Sequence, residues 1–294
     1  MQRLRVILFR AAYNLPVTLG VARGVFARHD LALDIAYTRG SQMVSEALLG
    51  GERDIGVIAA DDVIYEVERR GADLFMFMGL HAGILTLMAR PGITEARQLA
   101  GGRLGVDDPA SGFALVAHKI LQTMGLAREQ YETVASGGHQ LRAAALREGR
   151  IDAALVTPPF SVELANLGHT ALARVHDYLP RYQASCGVTT RTFARKHGEL
   201  VSAYVRAYRE SLAWMLEPAN RAAAIAHLAD DFGLEAKLAE PTFDALADPR
   251  DGLYPDAAID VSGIRTALAL RVEAGLIGDP PPAPEKYYDS AFSR

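Results

Sequence analysis

Cys186 is the single thiol among 294 residues, and the stretch around it, ASCGVTT, is short, apolar and β-branched. A cysteine nucleophile acts as the thiolate beside a base, and His81 and His139 are the candidate bases. A lone cysteine in an apolar strand more often serves packing. The eight histidines, His29, His118, His169 and His176 among them, show no HxxEH, HExxH or CxxC spacing, so metal hydrolysis has no support in the sequence. GGRLGV lacks both the P-loop lysine and the GxGxxG order of a nucleotide site. The acidic pairs Asp107-Asp108 and Asp230-Asp231 read as turn and cap residues rather than a catalytic dyad.

Another kind of chemistry is better represented, the capture of a small molecule. Polar residues stand directly after apolar runs at several points. Tyr13 and Asn14 follow the first such run, Ser41 and Gln42 the second, and Asp61 and Asp62 the third. Further along come Asp108 and Ser111, then Gly138 and His139, then Thr157 and Phe160, and His81 is counted with them. Hydroxyls and backbone N–H groups at helix starts suit neutral hydrogen bonding or an anion. Tyr13 and Phe160 offer apolar faces for a ring or alkyl body. A carboxylate at Asp61 or Asp62 would ask for an amine or ring N–H. Each residue has a plainer reading: Ser41 and Ser111 as helix N-caps, Asp61 or Asp62 as a cap for the following helix, Pro158-Pro159 as a helix start. No arginine cluster is visible along the chain, which weakens a simple oxyanion as ligand.

These residues need strands and helices to bring them together. LRVILF (4–9) is a buried strand, and Pro16 fits the first turn of a helix running to about Arg28. Leu31, Leu33, Ile35 and Tyr37 alternate as a second strand. A helix from Ser41 stops at Gly50-Gly51, and DIGVIAA (54–60) is a third strand. Strand and helix alternating through short connections predict a mostly parallel sheet covered on both faces, which binds ligands outside the carboxyl ends of its strands. Ala47, Leu48, Gly51 and Asp54 recur with identical spacing as Ala145, Leu146, Gly149 and Asp152, each set followed by an apolar strand. Two related α/β lobes are the favoured reading, two unrelated αβ units the alternative. ILTLMAR (84–90) ending at Pro91-Gly92 marks a crossing between lobes, and ASCGVTT (184–190) a return strand. Residues 192–277 read as helical, with Leu212, Trp214 and Leu216 on an apolar stripe. The Pro-rich tail carries tyrosines and Phe292 that should pack onto a lobe.

Half of the residues are hydrophobic and the net charge is −4, with a pI near 6.1. A sizeable core is affordable, and there is no electrostatic footprint for nucleic acid. Apolar runs fall well short of the ~20 residues of a membrane helix. The start of the chain gives two readings, periplasmic if a leader has been trimmed and cytoplasmic if Met1 is the natural start.

Five segments then resemble, in order, the SsuA/TauA and NMT1/THI5-like substrate-binding proteins of ABC importers: GVFARHDLALDIAY, ALLGGERDIGVIAADD, ITEARQLAGGRLGV, ALREGRIDAALVTPPF, and the stretch from TRTFARKHGELV to HLADDFGL. Asp30 replaces a usual glycine, and Gly198 stands where proline commonly follows the histidine. The resemblance implies a type II periplasmic-binding-protein-like α/β fold of two lobes joined by a two-strand hinge, placed at 87–90 and 186–190. The first lobe would take residues 1–88 and 188–294, including the helical C-terminal part, and the second residues 89–187. It also implies a monomeric binding protein without cofactor that closes on a sulfonate, aminopyrimidine or aromatic acid and docks an ABC permease, with no nucleic acid and no membrane insertion. The family also includes cytoplasmic desulfinases, decarboxylases and a pyrimidine synthase, so an enzyme on the same fold is an alternative, as is a stand-alone sensor. The desulfinase's early cysteine and the synthase's cysteine-rich stretch have no counterpart here.

Overall fold

The computed structural model describes residues 1–293. The chain opens with β1 (Gln2–Phe9), a 3-10 turn at Ala12–Asn14, α1 (Leu15–Ala22) and α2 (Val25–Arg28). Pro16 sits in the first turn of α1 as expected, and Gly24 in the left-handed region divides what the sequence reads as one helix. Then follow β2 (Leu31–Thr38), α3 (Ser41–Leu49), β3 (Ile55–Ala59), α4 (Ala60–Arg70) and β4 (Leu74–His81). A second series comprises β5 (Thr86–Ala89), β6 (Arg103–Val106), α5 (Gly112–Thr123), β7 (Glu132–Ala135), α6 (His139–Arg147), β8 (Ala153–Val156), α7 (Phe160–Asn166), β9 (Thr170–Arg174) and α8 (Val175–Tyr178). The chain returns through β10 (Ser185–Thr190) into α9 (Arg191–Leu216), α10 (Arg221–Phe232), α11 (Ala236–Leu246) and α12 (Val261–Glu273).

Two five-stranded mixed sheets result, ordered β2-β1-β3-β10-β4 and β7-β6-β8-β5-β9. In each, the first three strands are parallel, and the strand that has just crossed from the other sheet enters antiparallel: β10 against β3 and β4, β5 against β8 and β9. The crossings therefore run through 82–85 and 175–184. The stretches 87–90 and 186–190, expected to be hinge, lie within or at the end of strands β5 and β10, because their apolar residues are recruited into the receiving sheet's core.

The internal echo is structural and extends beyond the four matched residues. One constant offset carries the β1–β3 pairing, Val6 with Ile55 and Ile7 with Gly56, onto the β6–β8 pairing, Leu104 with Ala153 and Gly105 with Ala154. It carries α3 onto α6 from end to end. Gly51 and Gly149 adopt φ of 70° and 67°, the left-handed turn that stops each helix. The acid that follows each glycine closes the same ring of hydrogen bonds. Arg5 N and Nε donate to Asp54 Oδ2 at 2.8 and 3.1 Å, and Arg103 N and Nε donate to Asp152 Oδ2 at 2.8 and 3.2 Å.

The tail packs as its aromatic residues predict. Tyr287 is fully buried and donates to Glu68, Met76 N donates to the Tyr287 carbonyl at 2.8 Å, and Phe292 lies 5.7 Å from Phe75. That contact covers β4, an edge strand of the first sheet.

Candidate functional site

Parallel strands point their carboxyl ends, and the N-termini of the helices that follow, at the same side of a sheet. Here those sides face each other and enclose a cavity of about 320 Å³. The first sheet contributes Phe9 and Tyr13 after β1, Arg39 to Gln42 at the start of α3, Ser45 one turn on, and Asp62, Tyr65 and Glu66 from α4. The second contributes Asp107, Asp108 and Ser111 after β6, Phe113 in α5, and Gly138, His139 and Arg142 at the start of α6. The constant offset pairs Gly40 with Gly138, Ser41 with His139 and Tyr13 with Ser111, so the two walls use equivalent positions with different chemistry.

Of the residues singled out in the sequence, Tyr13, Ser41, Gln42, Asp108, Ser111, Gly138 and His139 meet on this wall. Asn14, Asp61, His81, Thr157 and Phe160 do not. Asn14 is buried and its Nδ2 donates to the Phe9 carbonyl at 2.9 Å. Asp61 is turned away into a bidentate pair with Arg271 of α12, Nε to Oδ1 at 2.8 Å, both side chains 2% exposed. His81 lies fully buried with its ring 5.0 Å from that of Tyr13, and its Nδ1 accepts from the N–H groups of Gly83 and Ile84. Burial holds it at about 3, so it is neutral with the proton on Nε2. Thr157 is buried beneath the wall, and Phe160 packs into the small core around Leu146 and Ile151. α11 packs against both the Ala12–Asn14 turn and α7, so that flank of the space between the sheets is filled by protein.

Capping and lining are not exclusive. Ser111 caps α5, accepting from Ala114 N at 3.2 Å, and also donates to Asp107 Oδ1 at 2.5 Å. Ser41 is the first residue of α3 rather than its cap, and its hydroxyl turns to Asp62. Arg142 is 2% exposed and held by the carbonyls of Leu155 and Gly137 at 3.0 and 2.7 Å and by His139 Nδ1 at 2.9 Å. A guanidinium only donates, so Nδ1 accepts and neutral His139 carries its proton on Nε2. Burial and the adjacent Arg142 keep that imidazole well below its ordinary value.

Sequence reasoning missed the arginines. Arg39, Arg70 and Arg142 lie far apart in the chain yet border one cavity, the first two from the start of α3 and the end of α4 on the first sheet and the third from α6 on the second sheet facing it. It named Asp62 beside Asp61 without separating them, although consecutive helical residues point about 100° apart and only one can share a face with Tyr65 and Glu66.

The two sheets touch on either side of the cavity. A Cβ on Gly112 would run into the Asp61 side chain, and one on Gly138 would lie 3.6 Å from the Arg39 carbonyl. Lys119 of α5 pairs with Glu273 of α12 at 2.8 Å, and Arg174 of β9 with Asp248 at 3.1 Å and Asp251 at 2.5 Å, both beyond α11.

A family model described as NMT1/THI5 like matches residues 12–222. No curated protein matches the chain. Among solved structures, the ligand-binding component of an ABC-type import system from Staphylococcus aureus, with zinc bound, is 14% identical, with a TM-score of 0.83 over 100% of this chain and 98% of that one. The alkanesulfonate-binding protein SsuA from Xanthomonas axonopodis pv. citri, bound to MOPS, is 17% identical, with a TM-score of 0.80 over 98% of each chain. The desulfurization enzyme DszB is 16% identical, with a TM-score of 0.67 over 99% of this chain and 98% of that one. These likenesses establish the periplasmic-binding-protein fold.

Proposed function

The chain belongs to the NMT1/THI5-like family, and from that premise we propose that it is the small-molecule receptor of an ABC importer. The observation that carries the reading is the cavity itself, whose walls come from both sheets at the carboxyl ends of their strands. A ligand resting on Tyr13, Ser41 and Asp62 gains Ser111, Phe113 and His139 only when the second lobe lies over it. That difference in contacts shifts an open–closed equilibrium toward the closed form. The closed form then presents a joint surface of both lobes to a membrane permease, in keeping with the import-system name of the Staphylococcus structure. With the crossings at 82–85 and 175–184, the first lobe takes residues 1–81 and 185–294 and the second residues 86–174. The ligand is a small polar organic molecule, with sulfonates, aminopyrimidines and aromatic acids among the classes to screen. Among the described residues no three His, Cys, Asp or Glu side chains gather as a metal ion would require, and no helix is long and apolar enough to cross a membrane.

The likeness to DszB makes catalysis the competing reading. Cys186 argues against it as a nucleophile. It is fully buried in β10, its Sγ faces the Ile58 carbonyl at 3.6 Å, and burial pushes the thiol up, away from the reactive thiolate.

Thermal shift against sulfonates, aminopyrimidines, aromatic acids and polyamines tests the proposal. A ligand at a hundredfold excess over its Kd stabilises by about 2.7 kcal/mol. The expected hit is recovered chemically unchanged and loses its effect in Tyr13→Ala. A hit that is consumed makes the protein an enzyme instead.

A further inference from the structure

We infer, on the receptor reading above, that the ligand is an organic cation, an amine, amidine or guanidine on a flat apolar body, whose charged nitrogen is taken by Asp62 and Glu66 of α4. Asp62, Tyr65 and Glu66 stand three and four residues apart on the one face of α4 that meets the cavity. One group on this inner wall lacks a partner altogether: Ser45 Oγ, in a residue 1% exposed, has none. Glu66 Oε2, in a residue 4% exposed, makes no hydrogen bond within the protein and has only a loose ion pair with Arg70, Nη1 at 3.3 Å, whose side chain is 48% exposed. A buried acceptor left open is costly, and an N–H of the ligand relieves that cost.

The basic groups of the cavity do not offset this acidity where it matters. Arg142 is held by two carbonyls and His139, with Asp107 a further 3.6 Å away. Arg39 is exposed at the lip, against the loop that carries Gly138. Asp107 already receives the Ser111 hydroxyl. Capacity therefore remains at Ser45, at Asp62, whose carboxylate receives only the Ser41 hydroxyl, and at Glu66, whose one ion pair is to the half-exposed Arg70, with the Tyr13 and Tyr65 rings beside them. An anion would meet two carboxylates there, and a neutral body would leave them unanswered.

The electrostatic setting of Asp62 gives the binding a pH signature. Its carboxyl is pushed up to about 8, by enclosure first, then by Asp107 beyond β6 and Asp61 on its own helix, against the Ser41 hydroxyl of α3 and Arg271 of α12. Tyr13, Tyr182 and Cys186 also feel its charge. A cation binds the ionised form, so affinity rises with pH toward about 8 and levels above it.

The test is a thermal-shift screen of three shape-matched sets: benzamidines, benzylamines and phenylguanidines; the corresponding amides and alcohols; and the corresponding benzoates and benzenesulfonates. Calorimetric titration of the best hit follows, with wild type, Asp62→Asn, Glu66→Gln and Tyr13→Ala, each variant first shown to melt cooperatively. Stabilisation confined to the cations is expected, with affinity falling about tenfold to a hundredfold in each α4 variant and rising between pH 6 and 8. Equal binding of neutral or anionic compounds overturns the cation assignment and leaves the receptor reading standing. So does a cation whose affinity is the same in both α4 variants. Silence in all three sets, while a compound of the broader panel binds through Tyr13, overturns the assignment too. Silence in both screens overturns the receptor reading and this inference with it.

Discussion

One step along α4 separates two carboxylates with different work. Asp62 faces the cavity, whereas Asp61, about 100° further round the helix, is enclosed with Arg271, whose guanidinium also lies 5.2 Å from the Tyr65 ring and 3.4 Å from the Ala110 carbonyl. The pair ties α12 to α4 and reaches the loop after β6. Removing one partner of a buried pair strands the other charge, which costs about 3–5 kcal/mol, whereas replacing both with neutral groups is much milder. Arg271→Met should therefore lower unfolding stability in urea by about that amount, and the double variant with Asp61→Asn should recover most of it. Equal losses in the single and double variants would show that the contact matters through packing alone.

At the scale of elements, the paired strand–helix–strand blocks were the most legible part of the molecule. Short apolar strands, the helix stops at Gly51 and Gly149 and the acids three residues on are local signals, and the structure reproduces them twice in the same register. The partners of those acids, Arg5 and Arg103, were not legible, because they stand on a neighbouring strand and are met only through sheet pairing. For the same reason the sequence placed seven candidates on the cavity wall but could not say which of Asp61 and Asp62 would turn inward, nor gather three arginines from separate elements. It also could not see that α11 would fill the flank beside Asn14 and Phe160. The two glycines give a direct test of the repeat. Alanine at a left-handed position is strained, so Gly51→Ala and Gly149→Ala should each cost about 1 kcal/mol in urea unfolding. Being in different sheets they should add. A stabilised variant would mean that the turn can relax out of its left-handed conformation.

Over the whole molecule, the two sheets are joined by two short crossings and meet where Gly112 rests on Asp61 and Gly138 approaches Arg39. Function as a receptor depends on these contacts being reversible, since a ligand shifts an equilibrium only by the difference in its affinity for the two states. Gly112 is the most exacting point, because nothing larger than hydrogen fits between the start of α5 and the Asp61 side chain while the lobes are together. Gly112→Leu should act as a wedge. Each lobe keeps its own core, so the unliganded variant should melt close to wild type, but the closed state becomes unfavourable and affinity for any cleft ligand should fall about tenfold or more. Small-angle scattering separates this from a simple loss of contact. In wild type a saturating ligand should reduce the radius of gyration, and in Gly112→Leu the radius should stay at its unliganded value even at concentrations that fill the first-lobe half of the site. If the wedge variant binds and contracts like wild type, the lobes approach without the Gly112–Asp61 contact, and the closing motion must pivot elsewhere than about the crossings at 82–85 and 175–184.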